Sequence, residues 1–345
     1  MRYQDVHIES LAHVLPDEKR RSEEIEQALS PLYDRLGLSI GRLELMSGIR
    51  ERRLWPVGTR PSEACARAGA RALERAGIAR EKIGCLIHAS VCRDFMEPAT
   101  ASVVHRRLEL PDACTAFDLS NACLGFANAM VVVADMIELG HIEAGLIVAA
   151  EDARPLLETT LAALLEDPEL GKSELKSAFA SLTIGSGAAA AVLCHRSLSE
   201  SGARLLGGRA HSATEHHELC HGTVHPGRAG PLMQTDSEAL LHAGMALADE
   251  TFQLFKKEVG WERSDIDRIV THQVGSAHKR LLFETLGLDH AKDFTTVEEY
   301  GNVGSVSLPL TFALAERSGF VQSGQRVALQ GIGSGLHCLM LAVQC

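Results

Sequence analysis

The chain has 345 residues, of which 46% are apolar and 23% charged, with a formal net charge of -11. That length exceeds what one small core needs and predicts two domains or two fused halves. The acidic balance argues against broad nucleic-acid binding. No apolar run is long enough to span a bilayer, and Met1-Arg2-Tyr3-Gln4-Asp5 lacks a signal-peptide core. The nine cysteines are odd in number and form no C-x-x-C pair, which points to reduced thiols in a cytoplasmic protein.

In chain order, residues 4–12 alternate as a first strand, and Ile25, Leu29, Leu32 and Leu36 predict one helix over 22–36. Gly48-Ile49-Arg50-Glu51-Arg52-Arg53-Leu54-Trp55-Pro56 reads either as a solvated turn with an aromatic anchor or as part of a mouth for an anionic substrate. An Ala-rich helix starts at Ser62 and stops near Gly77. A buried strand over Ile83–Ser90, a loop Cys92–Pro98 and a helix over 100–108 follow.

Phe117-Asp118-Leu119-Ser120-Asn121-Ala122-Cys123-Leu124-Gly125-Phe126 begins as a buried strand and ends in an apolar helix reaching about Glu138. Cys123 stands where one becomes the other, and a helix start favours a thiolate over a thiol. Ala144–Ala150 is another strand, and 153–180 is an acidic helical insertion. Ile184-Gly185-Ser186-Gly187 then leads into a closing strand.

That pattern recurs. Ile332-Gly333-Ser334-Gly335 again runs into an apolar terminal strand, and Asp265–Val274 resembles Glu81–Val91. The repeat predicts a duplication with halves at 1–195 and 196–345, built as stacked α/β layers with mostly parallel sheets. His272 ends the strand Ile269-Val270-Thr271, where α/β folds place catalytic groups. Asn302 lies in the glycine-flanked segment Tyr300-Gly301-Asn302-Val303-Gly304. Cys, His and Asn at strand ends make a nucleophile with imidazole and amide partners. Glu215-His216-His217-Glu218-Leu219-Cys220-His221, with His225, holds residue types that bind zinc but matches no complete ligand signature. A solvated loop is the expectation there.

Taken together, D-L-S-N-A-C-L-G-F around Cys123, V-T-H-Q-V around His272, Y-G-N-V-G-S-V-S-L-P around Asn302, the terminal G-I-G-S-G and the early G-I-R-E-R resemble the thiolase superfamily, in its ketoacyl synthase III branch. The resemblance implies a duplicated five-layer α-β-α-β-α fold, a homodimer, no cofactor beyond coenzyme A thioesters as substrates, and a Cys123–His272–Asn302 site. The loop C-R-D-F-M-E-P-A-T-A-S and R-R-L-W are closer to the long-chain acyl-CoA condensing thiolases of bacterial olefin biosynthesis. That subfamily joins two fatty acyl-CoAs head to head, and its loop glutamate, here Glu97, enters the partner subunit's site. Met46 stands where ketoacyl synthase III enzymes commonly carry a coenzyme A-binding Arg.

The resemblance implies a Cys123 acyl-enzyme, an oxyanion held by N–H groups of Cys123 and of the Gly333-Ser334-Gly335 turn, and Glu97 as base for a non-decarboxylating Claisen condensation. It also implies downstream olefin-pathway enzymes as partners. The alternatives are a malonyl-using synthase III or related acyl transfer, and a non-catalytic acyl-binding subunit.

Overall fold

The computed structural model describes residues 1–345 except His225. Its framework is a mixed sheet of nine strands: β1 (Val6–Val14), β2 (Ile83–His88), β3 (Thr115–Asp118), β4 (Ala144–Glu151), β5 (Gly187–His195), β6 (Arg204–Ser212), β7 (Arg268–Thr271), β8 (Arg326–Gly333) and β9 (His337–Gln344). In space the order is β7-β8-β9-β6-β1-β5-β4-β2-β3. The strands fall into two groups that meet edge to edge at β1 and β6, where His7 pairs with Arg204.

The two groups share one topology. Beyond the meeting edge, β1-β5-β4-β2 is matched by β6-β9-β8-β7, with two antiparallel steps and then a parallel one on each side. On the first side β3 adds a further parallel strand. On the second, only the single bridge between Ile269 and Asp293 remains in its place. The expectation of mostly parallel sheets is therefore corrected. Antiparallel ladders dominate, because the strand after each I-G-S-G segment returns beside its neighbour in the opposite sense.

Six helices complete the layers: α1 (Pro61–Ala76), α2 (Thr100–Arg107), α3 (Gly125–Glu138), α4 (Ser237–Val259), α5 (Ser276–Leu286) and α6 (Ser307–Arg317). Alternate residues of the strands face different helices, as a period of two requires. Leu146 and Val148 of β4 pack on Ala68 and Leu73 of α1 and Val104 of α2. Ile147 and Ala149, on the opposite face, join Phe126 and Met130 of α3. That central cluster also takes Phe312 of α6 and Leu329 of β8, while Ala328 turns outward to Phe252 of α4 and Phe283 of α5. The result is helices, sheet, paired central helices, sheet, helices. Both sheets are buried on both faces, which explains their unbroken apolar runs.

Two local expectations need correcting. The segment 22–36 forms two helices, Ser22–Ala28 and Ser30–Leu36, because Pro31 in the first turn of the second lacks the N–H that would continue the first. The strand before Cys123 is only partly buried, because β3 lies at the sheet edge. The insertion folds as helices Arg154–Glu166 and Lys172–Ala178, with Leu157, Leu164 and Leu175 packed on Ile25, Leu29 and Leu32.

The halves are also stitched through a loop. Asn302 N–H donates to the Thr183 carbonyl at 3.0 Å, and Gly185 N–H donates to the Asn302 carbonyl at 2.9 Å. Arg52, fully buried, donates to the Leu182 and Arg20 carbonyls beside this stitch. A Cβ at Gly185 would strike the Tyr300 carbonyl oxygen. Gly185→Ala is therefore expected to lower stability by about 1–3 kcal/mol, as overpacking of a closed site does, read as a fall in denaturation midpoint. An unchanged midpoint would show that the stitch yields freely.

Candidate active site

Cys123, His272 and Asn302 line one cavity of about 560 Å³ that lies between the two halves. Each arrives on a different element. Cys123 sits in a tight turn after β3, where Leu124 N–H returns to the Asn121 carbonyl at 2.9 Å. Ala122 adopts φ 45°, a left-handed conformation that a Cβ disfavours by about 1–2 kcal/mol. Such strain ahead of a reactive side chain is typical of functional turns. Gly125 opens α3 with no room for a side chain, since its Cβ would lie 2.7 Å from the Ala89 carbonyl oxygen.

His272 follows β7 directly, and its N–H donates to the Gln330 carbonyl at 2.8 Å. Its Nδ1 is buried with no partner among the described residues. Burial, with a smaller contribution from His278, lowers its pKa to about 4, so the ring is neutral at ordinary pH. Asn302 is held by the stitch, and its Oδ1 accepts from Gly304 N–H at 3.0 Å. That leaves the Nδ2 donor for a ligand. Ser334 lines the same cavity, and a Cβ placed on the neighbouring Gly333 would lie 3.5 Å from Cys123 N. The terminal G-I-G-S-G turn thus stands against the cysteine backbone.

The thiol itself departs from expectation. Burial, then the nearby Glu151 carboxylate and Cys220, push the Cys123 pKa up to about 12. A helix start does not make a resting thiolate here. Leu124, not Cys123, is the residue that caps α3, and desolvation outweighs the dipole.

Glu97 does not line this cavity. It is exposed on the loop between β2 and α2, beside Met96, whose side chain is 99% exposed, and half-exposed Phe95. Two carboxylates line the cavity instead, Glu151 and Asp152, and neither carries a signal in its immediate sequence; Glu151 is the one tied to the neighbouring loops. It accepts from Val91 N–H at 3.0 Å, Cys92 N–H at 3.2 Å and Ser305 Oγ at 2.6 Å. It thereby ties the Glu97 loop to the Asn302 loop. Only its place at the end of the buried strand β4 could have flagged it.

The remaining lining corrects several expectations. Residues 125–136 pack in the central core, and Leu156, Phe179 and Ala180 of the insertion line the cavity. So does Met46. The arginines of the Gly48–Pro56 stretch serve structure: Arg52 is buried, Arg50 pairs with Glu299, and Arg53 lies over the Tyr300 ring. The region after Glu215 is not simply a solvated loop. Cys220–Val224 pairs with Pro231–Thr235 as a hairpin, and Cys220 and His221 line the cavity. Among the described residues no group of three or more candidate ligands is poised for a metal; His225 lies outside them.

Comparisons with known proteins agree with this architecture. Residues 117–213 match the 3-oxoacyl-[acyl-carrier-protein] synthase III family, and residues 257–345 match that family's C-terminal region. The chain is 40% identical over 343 residues to an acyl-CoA:acyl-CoA alkyltransferase of Xanthomonas campestris, covering 99% of both. It is 37% identical to an enzyme of that name from Shewanella oneidensis, covering 100% of both. A β-ketoacyl-[acyl-carrier-protein] synthase III of Sodalis glossinidius is 32% identical over 84% of this chain and 86% of that one. The crystal structure of Xanthomonas campestris OleA with lauric acid and lauroyl-CoA bound superposes with TM-score 0.94 at 40% identity, covering 99% of this chain and 100% of that one. Fold and site define a condensing enzyme of the thiolase type. Within that class, the chain belongs to the family of acyl-CoA:acyl-CoA alkyltransferases.

With its pKa near 12, Cys123 of the free protein is expected to alkylate slowly with iodoacetamide. The rate at that peptide should rise about tenfold per pH unit through pH 10, since only the thiolate reacts. A plateau near pH 7 in peptide-resolved mass spectrometry would overturn the burial argument.

Proposed function

We propose that this protein joins two long-chain fatty acyl-CoAs by a non-decarboxylating Claisen condensation through an acyl-enzyme on Cys123. The observation that carries the reading is the meeting of Cys123, His272 and Asn302 in one largely apolar cavity, in a chain resembling alkyltransferases along its whole length. The Xanthomonas relative has lauroyl-CoA in its structure, which supports fatty acyl-CoA as the substrate class.

In the first half-reaction the Cys123 sulfur attacks the thioester carbonyl. Its proton passes to the neutral His272 imidazole and then to the departing coenzyme A sulfur. Backbone N–H groups of Cys123 and the Gly333-Ser334 turn are suited to the tetrahedral oxyanion. In the second, His272, now as its Nε2–H tautomer, and Asn302 Nδ2 donate to the oxygen of the incoming thioester as enolate character develops. A carboxylate takes the α-proton, and the carbon attacks the Cys123 thioester. Cys123 then leaves as a thiolate and is reprotonated. Hydrolysis of the coupled thioester yields a 2-alkyl-3-oxo acid. The hydrolysis consumes one water and releases the second coenzyme A, and the steps route through no cofactor.

Glu97 is the proposed base, supplied by a second copy of the chain. Its exposure on a loop with bare Met96 and Phe95 supports a subunit interface there. A homodimer follows, and enzymes that consume a 2-alkyl-3-oxo acid are the expected partners. Among the described residues no helix is long and apolar enough to cross a membrane, and free cysteines suit the cytoplasm.

The deciding experiment offers tetradecanoyl-CoA alone. Acylated Cys123 by intact mass and a long-chain ketone after decarboxylation are expected, whereas a requirement for malonyl thioester would establish the synthase III reading. Cys123→Ala should abolish both products. Glu97→Gln should retain acylation while reducing condensation by at least a hundredfold, the scale of a lost general base. Equal loss of both steps would remove Glu97 from the role of base.

A further inference from the structure

Among the described residues, one polar side chain that lines the cavity and takes no part in the reaction is left without a hydrogen-bond partner. Gln330 is 3% exposed, yet both its Oε1 and Nε2 lack partners among the described residues. Thr271, Gln330 and Met340 are direct neighbours across β7, β8 and β9, and all three line the cavity. They floor an arm that runs between the sheet and the outer helices, with Leu240, Met245 and Leu282 opposite and Ile332 alongside. The surroundings are thus apolar, and a buried amide with neither atom paired is unfavourable.

We propose that this arm is a specificity subsite for an acyl chain carrying a hydroxyl group at an interior carbon, recognised by the Gln330 side-chain amide. The inference rests on the acyl-enzyme reading of the site. A hydroxyl is the chemical match. Its O–H donates to Oε1 while its oxygen accepts from Nε2, so one group satisfies both atoms. An oxo group satisfies only the donor, and a plain alkyl chain satisfies neither.

The strand geometry sets the hydroxyl's place along the chain. Gly333 abuts the Cys123 backbone, and Gln330 lies three residues back on the same strand, roughly 10 Å away at about 3.3 Å per residue. The hydroxyl therefore belongs several carbons from the thioester and leaves the α-carbon free for condensation. A site built to bond a hydroxyl discriminates against the analogue lacking it, because its own polar atoms are then stranded.

The test compares tetradecanoyl-CoA with isomers bearing one hydroxyl at successive interior carbons. Acylation of Cys123 is followed by intact mass in the wild type, Gln330→Leu and Gln330→Met, with folding checked by thermal denaturation. In the wild type, one interior isomer should react at least tenfold faster than the parent, and that ratio should collapse toward one in both variants. Because the readout is a ratio, a general loss of activity cancels. Equal rates for the parent and every isomer, or a preference that survives both substitutions, would overturn the subsite. Failure of every thioester to acylate Cys123 would instead overturn the reading of the site on which it rests.

Discussion

The short backbone exchange between Thr183–Gly185 and Asn302 is the constraint on which the site depends. Two hydrogen bonds, at 3.0 and 2.9 Å, hold a loop of the second half against the closing segment of the first. Arg52 braces the same place by donating to the Leu182 carbonyl, and Gly185 allows the backbones to touch. Without this contact Asn302 would have no fixed relation to Cys123. The glycines that read as turn residues in sequence are there because two chains must approach closely.

Glu151 extends that constraint toward the surface. Its carboxylate binds N–H groups of Val91 and Cys92 and the hydroxyl of Ser305. It thus links the Asn302 loop to the loop ending at Glu97, through a fully hydrogen-bonded buried charge. The same carboxylate keeps the neighbouring thiol protonated, after burial itself. Organisation of the loops and part of the upward shift of the Cys123 thiol therefore come from one residue. A neutral His272, its pKa lowered by burial, fits beside a thiol pushed up by burial: no ion pair forms between them in the free protein.

Duplication explains why the halves divide the work unequally. Their strand orders match from β1 and β6 outward, but the first half keeps β3 where the second keeps only the bridge at Asp293. β3 delivers Cys123 to the central layer, and α3 carries the chain away. Among the described residues the second half has no comparable strand, and it supplies His272 from the end of β7 instead. The insertion and the Cys220–Val224 hairpin then close the cavity from opposite sides of the repeat.

Much of this was legible in the sequence because it is local or repeated. Cys123 at a strand-to-helix turn, His272 at a strand end and Asn302 between glycines each carry their signal within ten residues. The recurrence of I-G-S-G exposes the duplication. Strand polarity was not legible, because apolar runs buried on both faces look alike in either direction. Nor were the state of the Cys123 thiol, the part played by Glu151 or the stranded amide of Gln330. Those follow from desolvation and from neighbours distant in the chain, which only the packed halves bring together.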